Sequence, residues 1–519
     1  MDWWLILLVI VAVGIMALVA YDVIQKRHAV IRNFPVIGHF RYLLEAVGPE
    51  LRQYIVTSNT EERPFSRDQR RWIYASAKHE NNYFGFGTSE DLEYSPNYIT
   101  VRHAAFPLSL DGLRYREPGG TTGLPAAKML GARRGRRKAF RPHSVVNVSG
   151  MSFGSLSPNA TMALNEGARL ASCLHNTGEG GLSPFHLQGG DLIFQLGTAY
   201  FSVRDTAGRL DWDKLCALVE EHPVRAIEIK LSQGAKPGHG GVLPAAKVTS
   251  EIARIRGVPL GEDVISPPAH AEFHDVDSML AFVERVAGET GLPVGIKSAV
   301  GETRFWEDLA DRMASSSRGV DFITIDGGEG GTGAAPLVFT DHVALPFKIA
   351  FARVYASFAR RGIAEDVVFI GSGKLGFPEN AALAMALGCD MINVGREAMM
   401  AVGCIQAQRC HTGRCPTGVA TQSRWLMRGL DPASKAVRCA NYIATLRNDL
   451  LELALAAGRP HPAFLTPDDI DILDDRLGSR TATEAFGYQP GWGRPRLEEL
   501  AELMAEWMPG WDPQRQSKP

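Results

Sequence analysis

A disulfide framework is the first thing this 519-residue sequence lacks: its seven cysteines are an odd number, and none precedes Cys173. A chain of this length buries enough apolar surface to fold without covalent staples. A dominant charge of one sign is also missing. With 55 Lys+Arg against 57 Asp+Glu the formal net charge is −2, which leaves no footprint for nucleic acid or for acidic substrates. No G-x-G-x-x-G follows an expected strand, so a dinucleotide site has no support. A secretory signal is absent too, because only Met1 and Asp2 precede the first apolar run and no A-x-A-like site follows it.

That apolar run is nearly a membrane span: residues 3–21 are 19 positions without a charge, edged by Trp3, Trp4 and Tyr21 as interfacial anchors. Lys26, Arg27 and Arg32 follow, and by the positive-inside tendency they keep the rest of the chain in the cytoplasm. The expectation is a single-pass membrane protein whose cysteines face a reducing compartment. A buried core helix is the competing reading of the run.

Three of the cysteines, Cys404, Cys410 and Cys415, crowd into residues 403–422, "GCIQAQRCHTGRCPTGVATQ". Soft ligands this close on one loop point to a metal or an iron–sulfur cluster. The spacing departs from the C-x2-C pairs of structural zinc, although His411 would complete a fourth ligand. Cys173, Cys216, Cys389 and Cys439 stand apart in apolar or helical contexts and read as small buried hydrophobes.

From residue 145 onward β-branched runs alternate with helical patterns, at 145–150, 173–181, 192–197, 226–234, 294–299, 322–331, 367–373 and 391–396. Crossover-length gaps between them imply a parallel α/β sheet. Closure into a TIM (β/α)8 barrel is favoured over an open doubly wound sheet, because functional-looking residues end almost every run. The expected organisation is an anchor at 1–25, a mainly helical N-terminal wrap at 26–140, the barrel at 141–475 and a C-terminal extension at 476–519. The basic stretch 132–140 reads as a solvated loop, with a phosphate contact as the alternative. The long gap after run four is expected to fold over the mouth.

Runs seven and eight end where TIM barrels bind phosphate, with Gly371, Ser372 and Gly373 on one and Gly395 and Arg396 on the other. A flavin mononucleotide placing its phosphate there would meet Ser149, Gly150, Met151 and Ser152 at its ring edge, and Lys297 at the pyrimidine side, where a cation stabilises the reduced ring. A salt bridge inside the barrel is the other reading of Lys297.

The ordered segments "NTGEGG", "IKLSQGAKPGHGG", "ISPPAH", "DGGEGGTGAAP" and the cysteine loop together resemble the FMN-binding synthase domain of glutamate synthases, over residues 145–470. The resemblance implies FMN, a 3Fe–4S cluster on Cys404, Cys410 and Cys415, and reductive amination of 2-oxoglutarate to glutamate. It implies catalytic roles for Glu179, Lys230, Gln233 and Lys236, and adds Asp326, Gly327 and Gly328 to the cofactor contacts. The chemistry agrees, since a dicarboxylate needs cations and Glu179 can handle the protons of ammonia. The expected partners are an electron donor protein or quinol, the membrane, and a separate amidotransferase subunit, because the family's N-terminal amidotransferase cysteine has no counterpart. Two acids of the family pattern are replaced, by Leu182 and His239. An N-alkylglutamate synthase-like enzyme using a primary amine, or a non-aminating FMN and iron–sulfur electron-transfer subunit, are the competing functions.

Overall fold

A computed structural model describes residues 3–109 and 123–508. The chain divides into two compact units, residues 1–71 and 72–519.

Unit one is helical. Helix Trp3–Ile24 is the one helix, among the described residues, long and apolar enough to cross a membrane. A tight elbow follows, because the buried Asp22 carboxylate accepts from the Val36 N–H at 2.8 Å and from His39 Nε2 at 2.7 Å. Helices Ala29–Asn33 and Gly38–Leu51 cross closely at Gly38, where a Cβ would lie 2.8 Å from the Ile31 Cα.

Unit two is built on eight parallel strands that close on themselves. They are β1 (Val146–Val148), β2 (His175–Asn176), β3 (Leu192–Leu196), β4 (Val224–Lys230), β5 (Val294–Ser298), β6 (Phe322–Asp326), β7 (Val368–Ser372) and β8 (Met391–Val394). Each expected run overlaps one strand, and the fourth strand begins two residues ahead of its run, at Val224. Both faces of such strands are covered, so their residues read as continuous apolar runs without alternation. β8 pairs with β1, β6 pairs with β7, and the ring follows chain order throughout. Register sets the site: Lys230 of β4 stands beside Lys297 of β5, which stands beside Thr324 of β6, while Asp326 faces Ser372 of β7.

The floor of the barrel, at the N-terminal ends of the strands, is filled by Leu130, Phe140, Ile193, Phe322 and Met391, all buried. Residues 132–140 form a loop with Arg133, Arg137 and Lys138 exposed, as expected, but Arg136 turns inward. Arg136 bonds Asp321 at 2.9 Å and Glu284 at 2.6 Å, Arg133 bonds Asp366, and Arg134 donates to the Val320 and Ser317 carbonyls. These arginines fasten the floor, because acids on several helices and loops converge beneath it. The division between the two compact units falls after Arg71, and residues 72–140 lie with the barrel. Residues beyond 475 also belong to this unit: Tyr488 donates to the Leu387 carbonyl at 2.8 Å, and the buried Trp507 donates to the Gly123 carbonyl at 3.0 Å. Strand Tyr98–Val101 pairs antiparallel with Ile470–Leu473, closing a small sheet with Ser479–Thr481.

Around the barrel, the long helix Pro432–Ala456 packs on helix Pro158–Leu170, and a Cβ at Gly167 would lie 2.6 Å from the Cys439 Cβ. Cys439, Cys173 and Cys389 are buried and free, whereas Cys216 is only half-buried.

Candidate active site at the barrel mouth

The C-terminal ends of the strands surround one pocket. Residues 149–152 enter it after β1, Glu179 after β2, Gln195 from β3, and Lys230, Gln233 and Lys236 from the end of β4 and the loop beyond. Lys297, Asp326, Ser372, Gly373, Gly395, Arg396 and Cys410 complete the ring. Gly327, Gly328 and Gly371 lie outside this lining. A Cβ at Gly371 would lie 2.7 Å from Leu375 Cδ1, and one at Gly327 would lie 2.6 Å from the Phe347 Cβ, so close packing accounts for both. The gap after β4 forms the roof, where Val242–Leu243 pairs antiparallel with Val264–Ile265 and Gly241, Leu243 and Ser266 face the pocket.

Charges inside the pocket are matched in space. Lys230 Nζ lies 2.8 Å from Glu179 Oε1 and donates to Gln233 Oε1 at 2.6 Å. Burial pushes the Glu179 carboxyl up, but Lys230, Lys236 and Arg256 outweigh it and hold the group below the usual carboxylate range. Lys236 donates to the Ala334 carbonyl at 3.2 Å, and burial lowers its pKa. Arg256 donates to the Phe153 carbonyl at 2.9 Å, while its Nε is buried with no partner. Burial lowers its pKa to about 10 against the pull of Glu179, so it stays cationic at neutral pH. His270 fixes the chain at Lys230, with Nε2 2.9 Å from the Lys230 carbonyl and Nδ1 2.9 Å from the Tyr200 hydroxyl. Burial lowers its pKa to about 4, so the ring is neutral and donates to that carbonyl.

Beneath the pocket Lys297 Nζ lies 3.5 Å from Asp326 Oδ2. Burial works against its charge, but Asp326 and Glu228 overcome it and raise its pKa. Glu228 is fully buried in β4. Asn176 Nδ2 and Gln195 Nε2 donate to its Oε1 at 2.7 and 2.6 Å, and the Thr324 hydroxyl donates to its Oε2 at 2.6 Å. Four strands are therefore tied through one carboxylate. Arg396 is half-buried and donates to the Glu329 carbonyl, and its pKa is lowered by burial.

The three clustered cysteines sit on the loop after β8 and helix Arg396–Ala401. The Tyr74 hydroxyl donates to the Cys404 carbonyl at 2.9 Å, and the Gln406 N–H approaches Cys404 Sγ at 3.4 Å. Burial pushes the Cys404 thiol up to about 12, and the charges of Cys410 and Cys415 add to that. Cys415 moves the other way, because backbone N–H groups at Ala420, Thr417 and Val419 and the Thr417 hydroxyl outweigh burial. Lys247 is buried nearby with its Nζ 3.4 Å from the Ser155 carbonyl, and Cys410 and Cys415 partly offset the burial that lowers its pKa. Among the described residues no group of three or more His, Cys, Asp or Glu side chains is arranged to hold a single metal ion, and His411 is exposed.

A family model for the conserved region in glutamate synthase matches residues 132–460. The chain belongs to the glutamate synthase family. The glutamate synthase large subunit-like protein YerD of Bacillus subtilis is 37% identical over 477 residues, 86% of this chain and 90% of that one. The archaeal glutamate synthase (NADPH) of Methanocaldococcus jannaschii is 36% identical over 318 residues, 60% of this chain and only 59% of that one. Among solved structures, a mandelate oxidase variant with a monooxide FMN adduct is 16% identical with a TM-score of 0.40, covering 85% of this chain and 99% of the other.

The sequence points to the residues at the mouth of the barrel but not to those behind it. Glu228, Gln195, Thr324, Arg256, His270 and Lys247 were not singled out. One signal existed: "AIEIK" places an acid inside an apolar strand, where a carboxylate persists only with dedicated partners.

Proposed function

We propose that this protein is an FMN-dependent oxidoreductase that reductively aminates 2-oxoglutarate to glutamate, with electrons delivered through a 3Fe–4S cluster. The observation that carries the reading is the Glu179–Lys230 pair at 2.8 Å in a pocket that also faces Lys236 and Arg256. A dicarboxylate requires two cationic ends, and Arg256 offers a buried donor without a partner. Glu179, held ionised by its cations, accepts an N–H bond from ammonia, orients its lone pair toward the ketone carbon and takes up a proton from the N-protonated adduct. Gln233 and the neutral His270 keep Lys230 in place while this happens.

The residues present fit a flavin nucleotide. Lys297 gives a buried cation for the ring, and Gly373, with φ +125°, and Gly395 offer bare backbone toward a phosphate. Residues 149–152, Lys297, Asp326, Gly373 and Arg396 would hold it, and it would supply hydride to the substrate carbon. Cys404, Cys410 and Cys415 would hold the cluster, one thiolate to each iron. Helix Trp3–Ile24 is read as a membrane span that leaves the barrel in the cytoplasm, with a donor protein or quinol as reductant and a separate amidotransferase subunit as nitrogen source.

The test uses the full-length protein, reduced chemically under anaerobic conditions and mixed with 2-oxoglutarate and ammonium. Reoxidation of the flavin absorbance with stoichiometric glutamate is expected. Turnover with methylamine alone would select the N-alkylglutamate reading, and turnover with neither nitrogen donor would reduce the protein to an electron-transfer subunit.

A further inference from the structure

Residues 25–56 carry an exposed apolar face. Ile37, Phe40, Leu44, Val47 and Leu51 repeat at spacings of three and four along helix Gly38–Leu51 and its N-cap, within an arc of roughly 80° at about 100° per residue, and Ile55 follows in the π-helical turn Arg52–Val56. All six are exposed, from 41% at Leu51 to 78% at Ile37. A soluble helix with such a stripe turns it inward, so an exposed stripe of this length marks an interaction surface.

We propose that this helix lies in the headgroup plane of an anionic lipid leaflet, as a second membrane contact beside the span. The proposal rests on reading Trp3–Ile24 as that span. Three observations favour lipid as the occupant. First, the stripe is continuous with the spanning helix through a built elbow. Asp22 at the helix end binds the Val36 N–H and His39, Gln25 Nε2 donates to the Asp22 and His28 carbonyls at 3.1 and 2.8 Å, and Gly38 allows the close crossing at Ile31. A chain turned this sharply where it leaves the hydrocarbon has its next helix at headgroup depth. Second, a groove at the elbow is lined by Val30, Phe34, Ile37 and Leu44, an apolar slot of the kind an acyl chain fills. Third, residues 25–56 hold five Lys or Arg against two Glu, and Lys26, Arg27, Arg32, Arg41 and Arg52 are all exposed. Cations flanking an apolar stripe match an anionic surface, whereas a partner helix would need only the stripe.

The probe is a phosphatidylglycerol carrying a photoactivatable acyl chain, placed in nanodiscs with the full-length protein, with adducts mapped by peptide mass spectrometry. Adducts are expected in both residues 3–24 and residues 37–55. The double variant Leu44→Glu, Leu51→Glu should lose the second set and keep the first, and Ala46→Glu on the opposite face should keep both. Adducts confined to residues 3–24 overturn the proposal, as does their persistence at 37–55 in the double variant. Equal yields from the same photoactivatable chain on phosphatidylcholine overturn the anionic requirement. Adducts at 37–55 without any at 3–24 sink the spanning reading while the surface contact stands, and adducts at neither sink both.

Discussion

The Lys230 ammonium lies 2.8 Å from the Glu179 carboxylate and 2.6 Å from the Gln233 amide oxygen, so one cation orders both groups. Lys230→Met removes the nearest charge holding Glu179 ionised, so that burial, opposed only by Lys236 and Arg256, moves the carboxyl up. Activity at neutral pH should fall by about 100-fold or more, with the acidic limb of the pH–rate profile displaced to higher pH. Steady-state kinetics from pH 5 to 9 read both effects. An acidic limb that stays in place would show that Glu179 is not the titrating group.

Cys410→Ser should strip the iron while sparing the flavin, because Cys410 supplies one of three thiols whereas the proposed flavin contacts come from other loops. Iron analysis and the visible spectrum separate the two cofactors. A full iron complement in the variant would remove Cys410 from the ligand set.

Glu228 joins four strands, and the cost of losing it should exceed that of an ordinary core change. Glu228→Ala leaves the amides of Asn176 and Gln195 and the hydroxyl of Thr324 buried without an acceptor, and Lys297 loses a counter-charge. The expected loss is about 3 kcal/mol or more of unfolding free energy. Denaturant titration of the full chain measures it, and a loss under about 1 kcal/mol would mean that water replaces the carboxylate without penalty.

Acid should weaken the fold through histidines that stay neutral inside it. Burial lowers the His461 pKa to about 3, while an unfolded histidine titrates near 6.5. Below about pH 6.5 the unfolded chain therefore binds a proton that the folded chain refuses, and stability falls with pH until the folded pKa is reached. Between about pH 6.5 and 5 this site alone costs about 2 kcal/mol. His461 also caps a short helix by accepting from the Ala463 N–H at 3.1 Å, a role an asparagine keeps. His461→Asn should accordingly flatten the pH dependence of the unfolding midpoint, and parallel curves for the two proteins would count against it.

Much of the barrel was legible because a parallel strand covered on both faces leaves a compact signature, a short β-branched run ending in glycine or charge. Val294–Ser298 and Phe322–Asp326 are plain examples, and the residues at their ends, Lys297 and Asp326, do line the pocket. The network at Glu228 was not legible, since its partners lie 52, 33 and 96 residues away. Arg136 misled for a related reason. A run of arginines looks solvated until Glu284 and Asp321 arrive from elsewhere in the chain. The C-terminal extension misled as well, because Tyr488 and Trp507 find their acceptors near residues 387 and 123.

The plugged floor gives the barrel the topology of a cup and not of a tube. Leu130, Phe140 and Phe322 stop any passage through the strands, so whatever is made at the mouth leaves by the opening through which its precursor came. Traffic is then two-way over one roof, that of Val242–Leu243 and Val264–Ile265. Under the proposed function, departing glutamate and arriving 2-oxo acid exclude each other at that opening.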